Sequence, residues 1–438
     1  MTDISSQFEQ NSRYRLSQQM LERALKTIPL GSQTFSKSMT QYPYGVSPCF
    51  IKKGQGSHVW DVDGNEYIDF VNALAAVTLG YNDPDVTSAV KAQLEDGTIF
   101  SLPHELEIKV AEKIVEIVPC AEMVRFGKNG SDVTSGAVRL ARAYTKRDHV
   151  AVCGYHGWQD WYIGSTSRNL GVPKAVSDLT HSFIYNNLDS LHKIFKEYPD
   201  RIAAVIMEPM NVVEPENNFL EKVKELTLEN KAVFIFDETI TGFRFANGGA
   251  QEYFGVIPDL ATFGKGLANG YPVSAIAGRA EIMRLMEEIF FSFTFGGETL
   301  SLAAAFAALT KIQREPVVQT LWSQGKKVVE GVNDLIIRHE LQDVLSTAGK
   351  DCWSFLMFKD TAPCSQWALK TLFLQEVFSR GILTLGSHNM SYAHSDRDIE
   401  RLLQAYNEVF AIIKEVLVRG NLKAWLKTDP LVPLFKIR

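Results

Sequence analysis

The sequence predicts an α/β fold in which a mostly parallel sheet is covered by helices on both faces. Short apolar segments recur from about residue 82 onward, and each ends at a polar residue or a glycine. Segments with helical periodicity lie between most of them. Strands that are covered on both faces read as continuous apolar runs, so this alternation indicates a helix-covered parallel sheet. The strand candidates are MVRFG (123–127), HVAVCG (149–154), IAAVIME (202–208), AVFIFDE (232–238) and DLATFG (259–264).

The alternating pattern fades after about residue 315, which predicts a second and smaller domain. Two long helical segments, 317–341 and 396–417, follow there with short strands between them. Near the N-terminus, residues 14–27 have the period of an amphipathic helix, and residues 57–70 alternate around an Asp-Gly turn as a hairpin does. We therefore expect a large domain over 76–315 and a small α+β domain built from 1–75 and 316–438.

Composition and charge narrow the function classes. The chain has 438 residues, of which 45% are hydrophobic and 22% charged, and its net charge is −6, which argues against a general nucleic-acid binder. Its five scattered cysteines favour reduced thiols over a disulfide framework or a zinc site. The acidic hairpin turn fails the EF-hand pattern, because Gly64 is fourth where the sixth position is required. We expect no bound metal.

The N-terminal segment and the apolar runs bear on location. The first twenty residues are polar and lack the apolar region of a secretion signal. No apolar run approaches the roughly 20 residues of a membrane span. We expect a cytoplasmic protein without a membrane partner.

Functional residues are expected where the strands end, because ligands of parallel α/β sheets bind outside the carboxyl ends of the strands. Each strand candidate is followed there by a chemically useful group, although a capped helix or core aromatics would explain some of them alone. The groups are Gly130 and Ser131 at a helix start, the aromatic cluster from Tyr155 to Trp158, Glu208, the carboxylates Asp237 and Glu238, and Lys265 between two glycines.

Together these groups match the needs of pyridoxal phosphate. Its aldehyde forms a Schiff base with a lysine amine, its ring nitrogen pairs with a carboxylate, and its phosphate needs N–H donors. A Walker A loop is excluded because Lys265 is followed by Gly266, and the spacing of Gly264, Gly266 and Gly270 does not fit a dinucleotide fingerprint. A regulatory protein that binds the cofactor without catalysis is an alternative from another class.

Six longer motifs follow one another along the chain: NGSDVTSGAVRLAR (129–142), YHGWQD (155–160), MEP (207–209), FDETITGFR (236–244), TFGKGLANGYPVSAIAG (262–278) and FTFGGETLSLAAA (293–305). Their order resembles that of the class III (subgroup II) aminotransferases, which are fold-type I pyridoxal-phosphate enzymes with an aspartate aminotransferase-like fold. The chain is similar in particular to the glutamate-1-semialdehyde 2,1-aminomutase branch, through the segments 54–70 and 391–406.

The resemblance implies a role for each matching residue. Lys265 corresponds to the Schiff-base lysine, and Asp237 to the partner of the ring nitrogen. Tyr155 corresponds to the residue that stacks on the ring. The resemblance also implies a homodimer whose active sites are shared between the subunits. Gly130 and Ser131 correspond to residues that bind the cofactor phosphate, and Thr294 to a residue that reaches the phosphate of the neighbouring subunit. Glu208 corresponds to a glutamate near the cofactor.

Two departures from the family pattern concern the substrate. Lys37 stands where the aminomutase has an arginine. A lysine cannot form the two parallel hydrogen bonds with which an arginine binds a carboxylate. Glu298 stands where the family usually has Asn or His, which would bring a carboxylate close to the site. These changes favour a neutral, polyhydroxylated or sugar-like carbonyl compound as acceptor, with glutamate as donor. The alternatives are the aminomutase reaction itself and a solvated, functionally neutral Lys37.

Overall fold

The computed structural model describes residues 12–362 and 364–432. Strands and helices alternate along most of this length. The strands are β1 (Ile51–Gln55), β2 (His58–Asp61), β3 (Glu66–Asp69), β4 (Met123–Gly127), β5 (His149–Cys153), β6 (Thr180–Ser182), β7 (Ile202–Met207), β8 (Val233–Asp237), β9 (Leu260–Phe263), β10 (Ser274–Gly278), β11 (Leu345–Lys350), β12 (Trp353–Phe358), β13 (Ile382–Leu383) and β14 (Ser387–Asn389).

The helices connect these strands. They are α1 (Arg15–Ala24), α2 (Asn72–Ala75), α3 (Pro84–Asp96), α4 (Glu105–Ile117), α5 (Gly130–Thr145), α6 (Asp160–Ile163), α7 (Lys174–Ser177), α8 (Leu188–Glu197), α9 (Phe219–Glu229), α10 (Ala250–Phe254), α11 (Ala280–Met283), α12 (Thr299–Arg314), α13 (Val317–Arg338), α14 (Gln366–Ser379), α15 (Asp396–Arg419) and α16 (Leu422–Trp425). Segment α2 is a single left-handed turn, since all four of its residues have positive φ. In the described residues no helix is both long enough and apolar enough to cross a bilayer.

The seven-stranded sheet has the order β4-β10-β9-β8-β7-β5-β6. Strands β5 to β9 pair in parallel, whereas β10 is antiparallel to both of its neighbours, β4 and β9. Because β10 alone is reversed, β4 runs in the same direction as the parallel strands. The predicted mostly parallel sheet is confirmed.

Helices cover both faces of this sheet, as the apolar strands predict. One buried cluster contains Ile206 and Ile235 and is closed by α5, while the cluster on the other face contains Val205 and Phe234 and is closed by α8 and α9. Neighbouring residues of one strand point to opposite faces, so a strand buried on both sides must be apolar at every position. This geometry explains the uninterrupted apolar runs of β7 and β8.

The chain divides into two compact units. Unit 1 contains the described residues up to Leu74, then Gly80–Asn82, and the described residues from Thr320 onward; unit 2 contains Ala75–Leu79 and Asp83–Gln319. Compact units need not fold independently, so the domain boundaries inferred from the sequence (1–75, 76–315 and 316–438) remain a prediction.

Unit 1 is built from both ends of the chain. Its four-stranded sheet has the order β1-β2-β3-β13, in which β2 and β3 form the predicted hairpin and β13 adds in parallel from the C-terminal part. A second sheet, β11-β12-β14, is antiparallel throughout. The mixture of helices and antiparallel strands is the α+β character that the sequence predicts for this part.

Candidate active site

The predicted cofactor residues of unit 2 gather at one edge of the seven-stranded sheet. Strands β4, β5, β7, β8 and β9 run in the same direction, so their carboxyl ends meet at this edge. In parallel α/β sheets this is the edge at which ligands bind. The residues at or just beyond these strand ends are Gly130 and Ser131 after β4, Tyr155 after β5, Glu208 after β7, Asp237 at the end of β8, and Lys265 after β9.

Asp237 is a buried carboxylate, 5% exposed, that is held from two sides. Its Oδ2 accepts a hydrogen bond from His156 Nδ1 at 2.9 Å, and its Oδ1 accepts from Thr239 Oγ1 at 2.6 Å and Thr262 Oγ1 at 3.1 Å. Burial acts to raise the pKa of Asp237, but the hydrogen bond and charge of His156, with the bonds from Thr239, lower it below its ordinary value. Asp237 therefore remains ionised inside the protein.

His156 orients this carboxylate. Because an ionised carboxylate only accepts hydrogen bonds, Nδ1 of His156 is the donor, which fixes the ring's orientation. The buried ring lies parallel to Trp161 with 6.3 Å between centroids, and edge-on to Tyr162 at 5.2 Å. Its Nε2 is buried and has no hydrogen-bond partner in the structure. Buried polar atoms are normally satisfied, so a bound group or an ordered water is expected there.

Lys265 sits in a strained and crowded segment after β9. Its φ is 44°, which is unusual for a residue with a side chain, and it begins a short 3₁₀ helix, Lys265–Ala268. A Cβ atom on the following Gly266 would lie 2.7 Å from Thr78 Oγ1, so a larger residue there would require Thr78 to shift. Strain of this kind persists where the surrounding structure enforces it, often at functional sites.

The amine of Lys265 is adapted to act as a nucleophile. Burial lowers its pKa below the ordinary value, against the opposing effect of Glu208 and Asp237. The positive charge of Arg244, a fully buried side chain, adds to the lowering. A lysine with a depressed pKa carries a larger fraction of neutral amine near pH 7, which is the form that attacks a carbonyl group.

A phosphate-binding site is available at the start of α5. Asn129 and Asp132 form a capping box, in which the Asn129 side chain accepts from the Asp132 N–H and the Asp132 carboxylate accepts from the Asn129 N–H at 2.9 Å. Gly130 and Ser131 are the first two residues of this helix, whose N-terminal N–H groups and dipole favour an anion. Ser131 Oγ accepts from Trp158 N at 3.2 Å, which ties the helix start to the loop after β5.

Tyr155 and Glu208 lie on neighbouring strand ends and contact each other. The Tyr155 N–H donates to Glu208 Oε2 at 3.1 Å, and the Tyr155 ring remains 44% exposed. Glu208 is buried and also accepts from Asn211 Nδ2 at 3.1 Å. Burial, together with the charge of Asp237, raises the pKa of Glu208. An exposed aromatic face beside buried carboxylates could receive a flat, cationic ring.

The other three predicted residues lie elsewhere. Thr294 is exposed on the loop that precedes α12. Lys37 is exposed on a short 3₁₀ helix of unit 1, Phe35–Lys37. Glu298 is engaged within unit 2: it caps α12 by accepting from Leu300 N at 2.8 Å, and it pairs with Lys128 Nζ at 2.9 Å. The roles of Lys37 and Glu298 toward substrate therefore remain predictions.

Several site residues were not recognised from the sequence as individual contacts. The sequence pattern indicates His156 only as part of an aromatic cluster. It does not indicate Thr239, Thr262 or Arg244 as site residues. Thr262 pairs in register with Asp237 across β8 and β9, a relation that depends on strand order and register. The position of His156, next to Tyr155 at a strand end, was an available signal.

The arrangement of Lys265, Asp237 and the start of α5 indicates a pyridoxal-phosphate enzyme, and comparison with known proteins shows its family. The model of the aminotransferase class-III family matches residues 40–391, and this chain belongs to that family.

Two curated relatives cover nearly the whole chain. The 3-aminobutyryl-CoA aminotransferase of Cloacimonas acidaminovorans is 33% identical over 411 residues, covering 92% of this chain and 98% of that protein. The glutamate-1-semialdehyde 2,1-aminomutase of Persephonella marina is 36% identical over 393 residues, covering 84% and 92%. The family membership predicted from the motifs is confirmed, and both branches, transaminase and aminomutase, are represented among the relatives.

Solved structures confirm the fold. The FumI protein of Sphingopyxis sp. MTA144 superposes with a TM-score of 0.86 at 28% identity, covering 94% of this chain and 98% of that one. An omega-transaminase from Sphaerobacter thermophilus superposes with a TM-score of 0.82 at 27% identity, covering 90% and 97%. The fold is that of the fold-type I pyridoxal-phosphate enzymes.

Class-III aminotransferases depend on pyridoxal phosphate, and the site fits this cofactor. A fixed carboxylate, a lysine of lowered pKa and the N-terminus of α5 lie at the same sheet edge. These are the groups that the ring nitrogen, the aldehyde and the phosphate require.

Proposed function

We propose that the enzyme transfers an amino group from glutamate to a small carbonyl compound in two half-reactions. The observation that carries this proposal is the juxtaposition of Lys265 with the ionised Asp237 at the ligand-binding edge of the sheet. When bound, pyridoxal phosphate supplies an electron sink that stabilises negative charge on the carbon bearing the amine.

The residues of the chain have separate tasks in this scheme. Asp237, oriented by His156, would accept a hydrogen bond from the ring nitrogen of the cofactor and favour its protonated state. Gly130 and Ser131 would hold the phosphate through the N-terminus of α5, and Tyr155 would lie against the ring. Lys265 Nζ would hold the cofactor and, as a free amine, would take a proton from the substrate carbon and return it to the neighbouring reacting atom.

The lowered pKa of Lys265 suits this proton transfer. General base catalysis is most effective when the pKa of the base is near the working pH, and burial moves the amine in that direction. In the second half-reaction the same amine acts as the acid and base in reverse order, so one residue serves both directions.

For the carbonyl substrate we propose a neutral, polyhydroxylated or sugar-like compound. The support is Lys37, which occupies the place of the arginine that grips the carboxylate in the aminomutase branch. Glu298 adds less support than the sequence suggested, because its carboxylate is used by the α12 cap and by Lys128. A second candidate function is transfer of the amino group within one substrate molecule, because an aminomutase is among the relatives of this chain. A cytoplasmic location also remains a prediction.

We also propose that the enzyme is a homodimer. Unit 2 has a cavity of about 600 Å³ whose lining includes the exposed side chains of Ile108 and Phe293, and a second copy is the occupant that the resemblance to a dimeric family suggests. Thr294 follows Phe293 on the same loop and, in such a dimer, would contact the phosphate held by the other subunit. Other large apolar side chains that are exposed close in the chain to lining residues are Phe100, Leu102, Phe290 and Phe295.

The test uses single substrates in turn. The holoenzyme is mixed with glutamate alone, with glutamate 1-semialdehyde alone, and with 3-aminobutyryl-CoA alone, and each product is measured against enzyme concentration. Transamination predicts one 2-oxoglutarate per active site from glutamate and no further turnover without a carbonyl acceptor. Turnover of the semialdehyde to 5-aminolevulinate without a second substrate would instead establish the aminomutase reaction.

The role of Lys265 is tested separately. Borohydride reduction of the holoenzyme followed by peptide mass spectrometry should find the cofactor on Lys265. Lys265→Ala should abolish the adduct and reduce turnover by several orders of magnitude, about 10⁴-fold or more, because nucleophile and proton carrier are both lost. Full activity in this variant would contradict the enzymatic proposal.

A further inference from the structure

The loop that carries Thr294 is fastened at its start to the segment that carries the phosphate-binding residues. Arg139, on α5, donates from Nη1 to the Phe290 carbonyl oxygen at 3.0 Å. Arg125, on β4, donates from Nη2 to the Phe291 carbonyl oxygen at 3.3 Å. Both anchors therefore belong to the β4–α5 segment.

The end of the same loop is fastened to this segment by the Lys128–Glu298 pair. Lys128 follows β4 and stands two residues before Gly130, while Glu298 is the N-cap of α12. The Lys128 Nζ to Glu298 Oε2 distance is 2.9 Å, and the two side chains are 21% and 17% exposed. Thr294 lies between the anchors and is itself exposed.

The pair is held more firmly than a surface ion pair. Glu298 Oε2 also accepts from Ser301 Oγ at 2.6 Å, and Lys128 Nζ lies 3.5 Å from the same hydroxyl. Burial acts to raise the pKa of Glu298, yet the hydrogen bonds from Ser301 and Lys128 lower it. Glu298 is thus fixed as an ionised cap, and its position fixes the end of the loop.

We propose that Lys128 and Glu298 are a positioning pair that sets Thr294 for the cofactor phosphate of a second copy of this chain. The pair fixes the Thr294 loop against the strand end that carries the chain's own phosphate-binding residues. The same ion pair therefore holds together the residues that bind the phosphate of its own subunit and the loop that contacts the phosphate of the other subunit. This proposal rests on the homodimer and on the cofactor roles proposed above.

The first test measures the dissociation constant of pyridoxal phosphate from the cofactor-free dimer by fluorescence titration. Lys128→Gln and Glu298→Gln should each weaken binding about 3- to 10-fold, which is the loss expected for one misplaced hydrogen bond. The double variant should bind no more weakly than the weaker single variant, and Lys128→Arg should remain near wild type. Lys174→Gln, which breaks the exposed Lys174–Asp178 pair at 2.6 Å at α7, is the matched control and should change nothing.

The signs of these effects discriminate between roles. If Glu298→Gln tightens binding while Lys128→Gln weakens it, Lys128 is a phosphate ligand of its own subunit and the proposal is overturned. If both variants lower the thermal midpoint but leave the dissociation constant unchanged, the pair is structural only. A wild-type protein that fails to bind the cofactor would refute the proposed function before this question arises.

The decisive test uses hybrid dimers. One chain carries Lys265→Ala together with Glu298→Gln, and the other is wild type, so the only reducible adduct forms on the wild-type chain. Retention of the cofactor on that chain is compared with a hybrid whose first chain carries Lys265→Ala alone. Weaker retention in the first hybrid supports action across the dimer, and equal retention overturns it.

Discussion

Asp237 shows how a few hydrogen bonds fix the charge state of a site. Its two oxygens are used by His156, Thr239 and Thr262, so the carboxylate can neither rotate nor become protonated easily. The charge that would neutralise a protonated ring is therefore in place before any ligand binds, which is the preorganisation that lowers barriers in enzymes.

Replacement of Asp237 tests this charge. We expect Asp237→Asn to lower kcat about 100-fold or more, since an amide cannot neutralise the ring nitrogen. Thr262→Val removes one of the hydrogen bonds to Asp237 and keeps the charge, so it should cost only about 3- to 10-fold. The single-turnover rate of 2-oxoglutarate release at saturating glutamate, which needs no acceptor, measures both losses. Equal losses in the two variants would show that geometry, and not charge, is what matters.

Gly157 tests the packing against the phosphate-binding residues. Its φ is 101°, and a Cβ atom there would collide with Ser131 Oγ and Cβ. We expect Gly157→Ala to lower the free energy of unfolding by about 2–4 kcal/mol, from backbone strain and the clash together. Gly171 is the control, because its φ is 89° but nothing lies within 4 Å of its Cβ position. Gly171→Ala should cost about 1 kcal/mol by urea denaturation, and equal losses would mean that strain alone is responsible.

At the scale of elements, the start of α15 depends on a charge network. Asp398 lies in the first turn and accepts from His58 Nε2 at 3.1 Å and Ser57 Oγ at 2.9 Å. The hydrogen bond and charge of Asp398 raise the pKa of His58 against the effect of burial, with a further contribution from Glu66. Burial acts to raise the pKa of Asp398, but the bonds from His58, Ser395 and Ser57 hold it well below its ordinary value.

This network predicts a pH dependence of stability. A raised pKa for His58 stabilises the fold fully below its unfolded value of about 6.5, and this contribution is lost as the pH rises through the folded value. The lowered pKa of Asp398 contributes above about 4 and is lost on acidification. We expect His58→Gln to destabilise by about 1 kcal/mol at pH 5.5 and by less at pH 8.5. Denaturant titrations at both values measure this, and a pH-independent difference would exclude the charged imidazole as the cause.

The elements themselves show what the sequence could predict. The five apolar segments that form β4, β5, β7, β8 and β9, and the helices between most of them, follow directly from periodicity, and so does the hairpin of β2 and β3; the short strand β6 does not. The reversed strand β10 lies within the motif of residues 262–278, and no strand is predicted there from the sequence. Its direction depends on long-range pairing with β4 and β9, which no local pattern encodes.

The residues of the candidate site also differ in whether the sequence alone can predict them. Lys265, Asp237, Gly130 and Ser131 stand at strand ends and helix starts, positions that a sequence reveals once the strands are recognised. Of the partners of Asp237, Thr262 lies on β9 and depends on the register between β8 and β9, whereas His156 follows β5 and Thr239 follows β8. For Glu298 the sequence does not reveal the local role that the structure shows, which is to cap α12, and its role toward substrate remains a prediction.

At the scale of the whole molecule, the proposed dimer predicts a concentration-dependent mass. We expect sedimentation to find twice the chain mass for the wild type. Leu102→Asp with Phe290→Asp, at two highly exposed apolar positions, should shift the protein toward monomer, because a buried unpaired charge is costly. Val418→Asp, on an exposed apolar residue of unit 1, is the control. A wild type that remains monomeric would refute the dimer and, with it, the role of Thr294.

The sheet order has a consequence for how the protein is made. Strand β4 bonds to β10 alone within the described structure, and the two are about 150 residues apart in the chain. At about 5–20 residues per second, a ribosome needs roughly 10–30 s to deliver the partner. For that time the nascent chain presents β4 and the future phosphate-binding turn with both strand edges unpaired, a state prone to wrong associations. Cofactor added during translation should therefore protect little, whereas a chaperone that shields β4 until β10 emerges should raise the yield.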